Sequence, residues 1–277
     1  MAVRILDDSA DIDITRLEIS RMVVKRVDAV GDLLDASHDL LMRVFDAAVV
    51  DAKEVYIDAV TDHSGTFRDF SPVFLAAVFQ EGEDEFVAGF ISSDVMLVGT
   101  SLTKTQLAIG NIATSPRLKN LGFRGVGSTL WRAALKTAEQ EVGKTQKRLN
   151  YSTSEAEPAS LPFWAKLGYR CPEGIKYFQP PLEFDDNGDP VYDEVPETLL
   201  LHPLEDASDS IDVADLRNIV KSIYWNWGIR PSLHKLNADA LASATRYVME
   251  EVFERTIRSF PSSGKVRLVD VPKVPVH

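Results

Sequence analysis

The chain has 277 residues, of which 45% are hydrophobic and 26% are charged. These fractions are ordinary for a globular protein and exclude a wholly disordered chain. The formal net charge of −12 disfavours non-specific binding to nucleic acid, because the phosphate backbone would be repelled.

Cys171 is the only cysteine, so no internal disulfide can form and no cysteine-based metal site is expected. No apolar run reaches the length of about 18 residues that a membrane span needs, and the acidic N-terminus lacks the apolar segment of a signal peptide. The sequence therefore predicts a cytoplasmic protein without a metal, a membrane span or a nucleic-acid partner.

Hydrophobic periodicity predicts the elements of the first half of the chain. Residues 1–20 are acidic and are expected to be partly mobile or loosely docked. The elements predicted after them are a strand at 21–29, a helix at 30–49, a short helix or loop at 50–70, a β-hairpin at 73–97 and a third strand at 103–115.

The second half continues with alternating strands and helices, and then changes in composition near Glu205. The predicted elements are a helix at 125–144, a strand at 147–154, a short helix at 157–168, and strands at 171–186 and 197–204. Helical patterns at 213–228 and 237–260 predict a helical extension, followed by an extended tail. The expected division is an acidic segment at 1–20, a main domain at 21–204, and a linker with the extension at 205–277.

A glycine-rich turn between a strand and a helix is the segment most informative about chemistry. Gly122, Gly125 and Gly127 leave its backbone uncluttered, and the first N–H groups of the following helix lack intrahelical partners. These donors, the positive end of the helix dipole and Arg124 together favour an anion. The spacing matches neither the P-loop nor the Rossmann dinucleotide motif. A tight turn without any ligand remains an alternative interpretation of these residues.

Two segments together resemble the GNAT superfamily of acyl-CoA-dependent N-acyltransferases. The residues "TSP" at 114–116 and "GFRGVG" at 122–127 are similar to its pyrophosphate-binding motif. The residues "ASLPFWAKLGYR" at 159–170 are similar to its second motif, and the resemblance covers about residues 21–204. It implies an α/β fold of the α+β kind, with a mixed, mostly antiparallel and splayed sheet flanked by helices, here followed by the C-terminal helical extension.

The resemblance also implies acetyl-CoA as the acyl donor and a primary amine that attacks it directly in a ternary complex. The main chain of Ile112, Ala113 and Thr114 would pair with the pantetheine arm and polarise the thioester carbonyl. The pyrophosphate would be held by the turn and the first helical turn, at Phe123, Arg124, Gly125, Val126, Gly127, Ser128 and Thr129.

A carboxylate is expected to take the proton of the attacking amine. Glu155 and Glu157 follow the strand at 147–154 and are the candidates. Glu157 also fits a plain structural role, because a carboxylate at the start of the short helix would stabilise the helix dipole. Asn111 could only orient a water molecule.

Trp164 stands where many members of the family have a tyrosine that returns a proton to the CoA thiolate. Indole has no proton of useful acidity. Tyr151 and Tyr169 are the nearest substitutes, and Tyr169 is expected to be a core residue instead.

Three functions follow from these observations. The first is an N-acyltransferase, whose acidic surface favours a cationic amine on a small molecule or a protein, and which could be a homodimer. The second is a module of the same fold that binds acyl-CoA without turnover, as the tryptophan suggests. The third is an unrelated α/β protein whose glycine turn is only structural.

Overall fold

The computed structural model describes residues 3–6, 22–45, 49–61, 70–81, 83–99, 103–120, 123–145, 147–204, 208–233 and 235–272. The chain divides into two compact units, one comprising residues 1–95 and 109–144, and the other comprising residues 96–108 and 145–277. The predicted fold class is confirmed, because the structure is a mixed α/β fold with a mostly antiparallel sheet flanked by helices.

The first unit contains the elements from β1 to α4. They are β1 (Val3–Ile5), β2 (Met22–Arg26), α1 (Asp32–Val44), α2 (Lys53–Thr61), β3 (Phe70–Pro72), β4 (Leu75–Glu81), β5 (Asp84–Leu97), β6 (Lys104–Thr114), α3 (Pro116–Asn120) and α4 (Val126–Gly143). Strands β5 and β6 extend into the second unit. Helices α1 and α2 supply Leu34, Leu40, Leu41, Tyr56 and Val60 to a core with Ala76, Val78 and Phe90 of the sheet.

Three short elements of this unit, β1, β3 and α3, were not predicted. Strand β1 pairs in parallel with β5, from Val3 opposite Glu85 to Ile5 opposite Val87. The expectation of a loosely docked N-terminus is therefore wrong for residues 3–6, because Leu6 is fully buried and its N–H donates to the Val87 carbonyl. The rest of residues 1–20 lies outside the described residues. Helix α3 follows β6, and Pro116 is its first residue, a favourable position for proline.

The second unit contains β7 (Arg148–Ala156), α5 (Leu161–Lys166), β8 (Arg170–Pro172), β9 (Tyr177–Gln179), β10 (Val195–Pro203), β11 (Ser210–Asp212), α6 (Val213–Ile223), α7 (Ala238–Arg246), α8 (Phe253–Ile257) and β12 (Lys265–Asp270). Strand β10 is central, since it pairs antiparallel with β7, β8 and β9. This arrangement places β7 and β9 on either side of β10.

The C-terminal extension is largely helical, as the periodicity predicts, but it also contributes strands. Two π-helical segments, Tyr224–Ile229 and Tyr247–Val252, continue α6 and α7. The expected extended tail includes β12, which pairs antiparallel with β8, with Leu268 opposite Pro172. The alternation of buried Val266 and Leu268 with exposed Lys265 and Arg267 explains this strand. None of the helices in the described ranges is long and apolar enough to cross a membrane.

Candidate active site

The glycine turn leads from β6 into α4 within the first unit. Gly125 is the N-cap residue of α4 and has a φ of 94°, a left-handed conformation that favours glycine. Among the residues that the structure describes, none lies within 4 Å of a Cβ atom placed at this position. The turn therefore leaves open space beside the helix N-terminus.

No side chain in the described part of the chain caps the N-terminus of α4. The first backbone bond of the helix runs from the Thr129 N–H to the Gly125 carbonyl at 2.9 Å, and the first turn contains no acidic residue. Arg124 is exposed in the turn. Uncapped N–H groups, the helix dipole and a guanidinium group make a suitable environment for a diphosphate.

Close packing fixes the position of this helix end. A Cβ atom on Gly89 of β5 would lie 2.9 Å from Val126 Cγ1 and 3.0 Å from Leu130 Cδ1. The absence of a side chain at Gly89 therefore lets the first turn of α4 approach β5 closely. Ser115 fixes the strand end, since its N–H donates to the Ala88 carbonyl at 2.9 Å and its hydroxyl donates to the Leu6 carbonyl.

The other residues expected to bind the donor lie along the same strand and turn. Ala113, Val126 and Gly127 are buried, whereas the half-buried residues are Ile112, Thr114, Phe123, Ser128 and Thr129. Gly122 lies outside the described residues. The fit of this segment to a diphosphate rests on the open turn and on the uncapped helix.

Asn111 of β6 belongs to a polar cluster in the first unit. Its N–H donates to the Ser92 hydroxyl at 3.1 Å. The Tyr56 side chain lies beside both residues, is 2% exposed, and its hydroxyl lacks a hydrogen bond of good geometry among the described residues. Burial, with the nearby carboxylate of Asp51, raises the pKa of Tyr56 well above its usual range. Tyr56 was not identified from the sequence, because residues 50–70 show no clear period.

Glu155 lies at the end of β7 in the second unit, where the Tyr177 hydroxyl donates a hydrogen bond to its carboxylate. The residue as a whole is half-buried, but its carboxyl end is desolvated. This burial and the neighbouring Glu197 carboxylate raise the pKa of Glu155 well above its usual range, although the tyrosine bond acts in the opposite direction. Burial also raises the pKa of Glu197 to about 7, and the Glu157 carboxylate adds to that effect.

The side chains of Glu155, Tyr177 and Glu197 lie on the same face of the sheet. Glu155 of β7 stands opposite Leu199 of β10, and Glu197 of β10 stands opposite Tyr177 of β9. Because Glu197 and Leu199 are two residues apart on one strand, their side chains point to the same side. A pair of carboxyl groups with perturbed pKa values is typical of acid–base sites, although ion-pair networks also produce such shifts. Tyr177 and Glu197 were missed in the sequence because strand pairing, not local spacing, brings them to Glu155.

Tyr151 lies four residues before Glu155 on the same strand, about 13 Å away along β7. Its hydroxyl donates to the Asp215 carboxylate at 3.0 Å, and the same carboxylate accepts a bond from Lys104 Nζ at 2.7 Å. Tyr151 is thus engaged in a polar network of its own.

Aromatic side chains of the second motif, residues 159–170, pack against each other in the protein interior. Tyr169 is buried, as expected for a core residue, with its hydroxyl 2.5 Å from the Ser152 hydroxyl. Trp164 is buried and its ring contacts the Tyr169 ring edge to face, with centroids 4.9 Å apart. Glu157 is exposed and precedes α5 by four residues, so it lies outside the first helical turn where a dipole-stabilising role was expected.

One family model matches part of the chain. Residues 37–169 match the model of the acetyltransferase (GNAT) family. That span includes the β6–α4 turn, Glu155 and most of the second motif. The search of curated proteins found no match.

Several solved structures are similar to this chain. The ribosomal-protein-S18-alanine N-acetyltransferase from Escherichia coli is 13% identical, with a TM-score of 0.41, and the match covers 68% of this chain and 97% of that chain. A putative acetyltransferase from the GNAT family of Bacteroides thetaiotaomicron is 16% identical, with a TM-score of 0.45 and coverages of 75% and 99%. Naa50 from Arabidopsis thaliana, in complex with the bisubstrate analogue CoA-Ac-MVNAL, is 11% identical, with a TM-score of 0.41 and coverages of 66% and 99%.

Proposed function

We propose that this chain, whose residues 37–169 match the model of the acetyltransferase (GNAT) family, transfers an acetyl group from acetyl-CoA to a primary amine. The observation that carries the proposal is the open turn at Gly125, which leads into the uncapped N-terminus of α4. In a family of acyltransferases, such a turn is suited to the diphosphate of the acyl donor.

The segment from β6 to α4 would hold the donor. The N–H groups of the first turn of α4 and the Arg124 guanidinium would bind the diphosphate, and the main chain of Ile112–Thr114 would pair with the pantetheine arm. Acetyl-CoA supplies the activated thioester. The protein would contribute orientation, since holding the donor and the amine together removes much of the entropic barrier.

Glu155 is our candidate for the proton acceptor. As the amine nitrogen attacks the thioester carbonyl, a C–N bond forms, the C–S bond breaks and the electron pair leaves with the sulfur. The proton of the resulting ammonium group passes to the carboxylate, directly or through water. A raised pKa suits this role, because a base works best when its pKa lies near the working pH.

The acceptor would be a cationic amine on a small molecule or a peptide. The net charge of −12 attracts cations over long range, and this attraction weakens with salt. A fall in the apparent affinity for a cationic acceptor as ionic strength rises would support this choice over a neutral amine.

The donor site is tested by calorimetric titration of acetyl-CoA into the wild type, Gly125→Asp and Gly125→Asn. Asp and Asn have similar shapes and both tolerate a left-handed backbone, so the comparison isolates the negative charge. We expect the Asp variant to bind at least tenfold more weakly than the Asn variant. Gly174→Asp, at a second open glycine with a φ of 74°, controls for backbone strain. No binding by the folded wild type would refute the proposal.

Trp164 supports a second candidate, a module that binds acyl-CoA without turnover. This residue occupies the position where many members of the family have a tyrosine, and its buried ring serves packing. Release of CoA in the presence of a panel of amines distinguishes the two candidates. Tight acetyl-CoA binding with no amine-dependent release of CoA would favour the module.

A further inference from the structure

We propose that the C-terminal extension is a working part of the catalytic machinery, because Tyr224 holds Tyr177 in the position from which it orients the Glu155 carboxylate. The inference rests on the proposed function for the role of Glu155. Tyr177 and Tyr224 are positioning residues in this proposal, and all the contacts that carry it lie within the second unit.

Strand β9 has only three residues, yet it carries the hydroxyl that binds Glu155. It pairs with the start of β10, with Tyr177 opposite Glu197 and Gln179 opposite Val195. A strand this short gains little stability from its own pairing. The direction of the Tyr177 side chain therefore depends on what else contacts β9.

The extension contacts β9 through Tyr224. The Tyr224 hydroxyl donates to the main-chain carbonyl of Phe178, and it lies 2.7 Å from the Thr256 hydroxyl. The single proton of Tyr224 is used on the carbonyl, so Thr256 is the donor in the second bond. The Tyr224 ring also meets the Tyr177 ring edge to face, with centroids 5.8 Å apart.

Further contacts explain why Tyr224 itself is rigid. The residue is fully buried, and its ring meets that of Phe253 of α8 at 5.7 Å between centroids. It begins the π-helical segment Tyr224–Ile229, a type of irregularity that is frequent at functional sites. In addition, the Arg255 guanidinium lies over the Phe178 ring, 5.5 Å from its centroid.

These contacts hold the Tyr177 hydroxyl as a hydrogen-bond donor beside the buried carboxyl groups of Glu155 and Glu197. Burial and the Glu155 charge keep Tyr177 protonated, because both raise its pKa, so that its hydroxyl can only donate to the carboxylate. The titratable groups that act on Glu155 are Glu197 of β10 and Tyr177 of β9, while Glu155 in turn acts on Tyr224 of the extension. Within the described ranges, the Tyr177 bond is the contact that favours the ionised form of Glu155, and its loss removes that effect.

The test compares Tyr177→Phe and Tyr224→Phe with wild type in the rate of CoA release against pH, using a saturating panel of amines. We expect kcat to fall about tenfold or more in Tyr177→Phe, since a lost hydrogen bond to a charged group is worth roughly a factor of ten. We expect a smaller fall in Tyr224→Phe, because Tyr224 acts on Glu155 through Tyr177. In both variants the midpoint of the rise of kcat/KM with pH should move to higher pH. The shift should be larger for Tyr177→Phe than for Tyr224→Phe. The affinity for acetyl-CoA should stay within twofold.

Tyr247→Phe is the matched control, because it removes a hydroxyl of the same extension that donates to Glu194 at 2.7 Å. It should leave the pH profile unchanged. Superimposable profiles for Tyr224→Phe and wild type would overturn the inference.

A second readout does not depend on turnover. The carboxyl carbon resonance of Glu155, identified by its loss in Glu155→Gln, is followed against pH in protein labelled with carbon-13 at glutamate. An upward shift of its titration in Tyr224→Phe supports the positioning role even if no amine is acetylated, in which case only the proposed function fails. An unchanged titration overturns the inference whether or not the enzyme is active.

Discussion

The Tyr177 hydroxyl donates a hydrogen bond to the Glu155 carboxylate, two strands away across β10. The same bond satisfies a buried hydroxyl and directs a carboxylate whose other close neighbour, Glu197, is also an acid. When two such acids are shielded from water, the charge of one carboxylate disfavours the ionisation of the other. This arrangement has consequences for stability as well as for chemistry.

The pH dependence of stability should show this pair. Both folded pKa values lie above the ordinary value of 4.5, so the contribution of the pair to stability is fully present below pH 4.5. It is lost as pH rises through the folded pKa values, of which that of Glu197 is about 7. Glu197→Gln should make the free energy of unfolding decline less over that interval, by on the order of 3 kcal/mol. Urea unfolding at a series of pH values measures the difference.

Glu183→Gln serves as the control for this measurement, because the Glu183 side chain is exposed. Its pH dependence should match that of wild type. If the free energy of unfolding of Glu197→Gln declines with pH as steeply as that of wild type, then burial does not raise the pKa of Glu197.

Gly89→Ala should destabilise the protein by about 1–3 kcal/mol, because the added methyl group would press on Val126 and Leu130. Gly143→Ala is a matched control at the other end of α4, where a Cβ atom would have no described residue within 4 Å. That variant should be neutral or slightly stabilising. Thermal unfolding of both variants checks the prediction, and equal melting temperatures would contradict it.

Elements with a long periodic pattern were predictable from the sequence, whereas short elements defined by their neighbours were not. The apolar spacing of Leu130, Ala134 and Ala138 predicted α4 within one or two residues. Strand β1 has three residues and takes its conformation from pairing with β5. The same limit applies to the site, since Tyr177 meets Glu155 only through the order of β7, β10 and β9.

Trp164→Phe should lower the free energy of unfolding by about 1–2 kcal/mol through lost packing against Tyr169. It should leave kcat for amine acetylation within about twofold at a temperature where the variant is folded, because the indole has no proton to supply. Unfolding curves and rates of CoA release test the two parts separately. A fall in kcat greater than tenfold with intact folding would give Trp164 a role in the reaction.

The thiol of Cys171 should react slowly while the protein is folded. Burial raises the pKa of Cys171 to about 11, so little thiolate exists at pH 8. Because there is one cysteine, the reaction with a chromogenic disulfide reports on it alone. We expect a rate at least a hundredfold below that of the same protein in denaturant, and a comparable rate in both conditions would show that the thiol is accessible.

Deletion of residues 208–277 should prevent the isolation of a soluble, monodisperse protein. Strand β12 covers the edge of β8, with Val269 opposite Cys171, so its loss would leave unpaired N–H and carbonyl groups at that edge. Loss of Tyr224 would also uncover the buried ring of Tyr177. Deletion of residues 273–277 is the control, since it removes no described residue. Size-exclusion chromatography and thermal unfolding measure the outcome, and a monodisperse 1–207 fragment with the wild-type melting temperature would show that the extension is dispensable for folding.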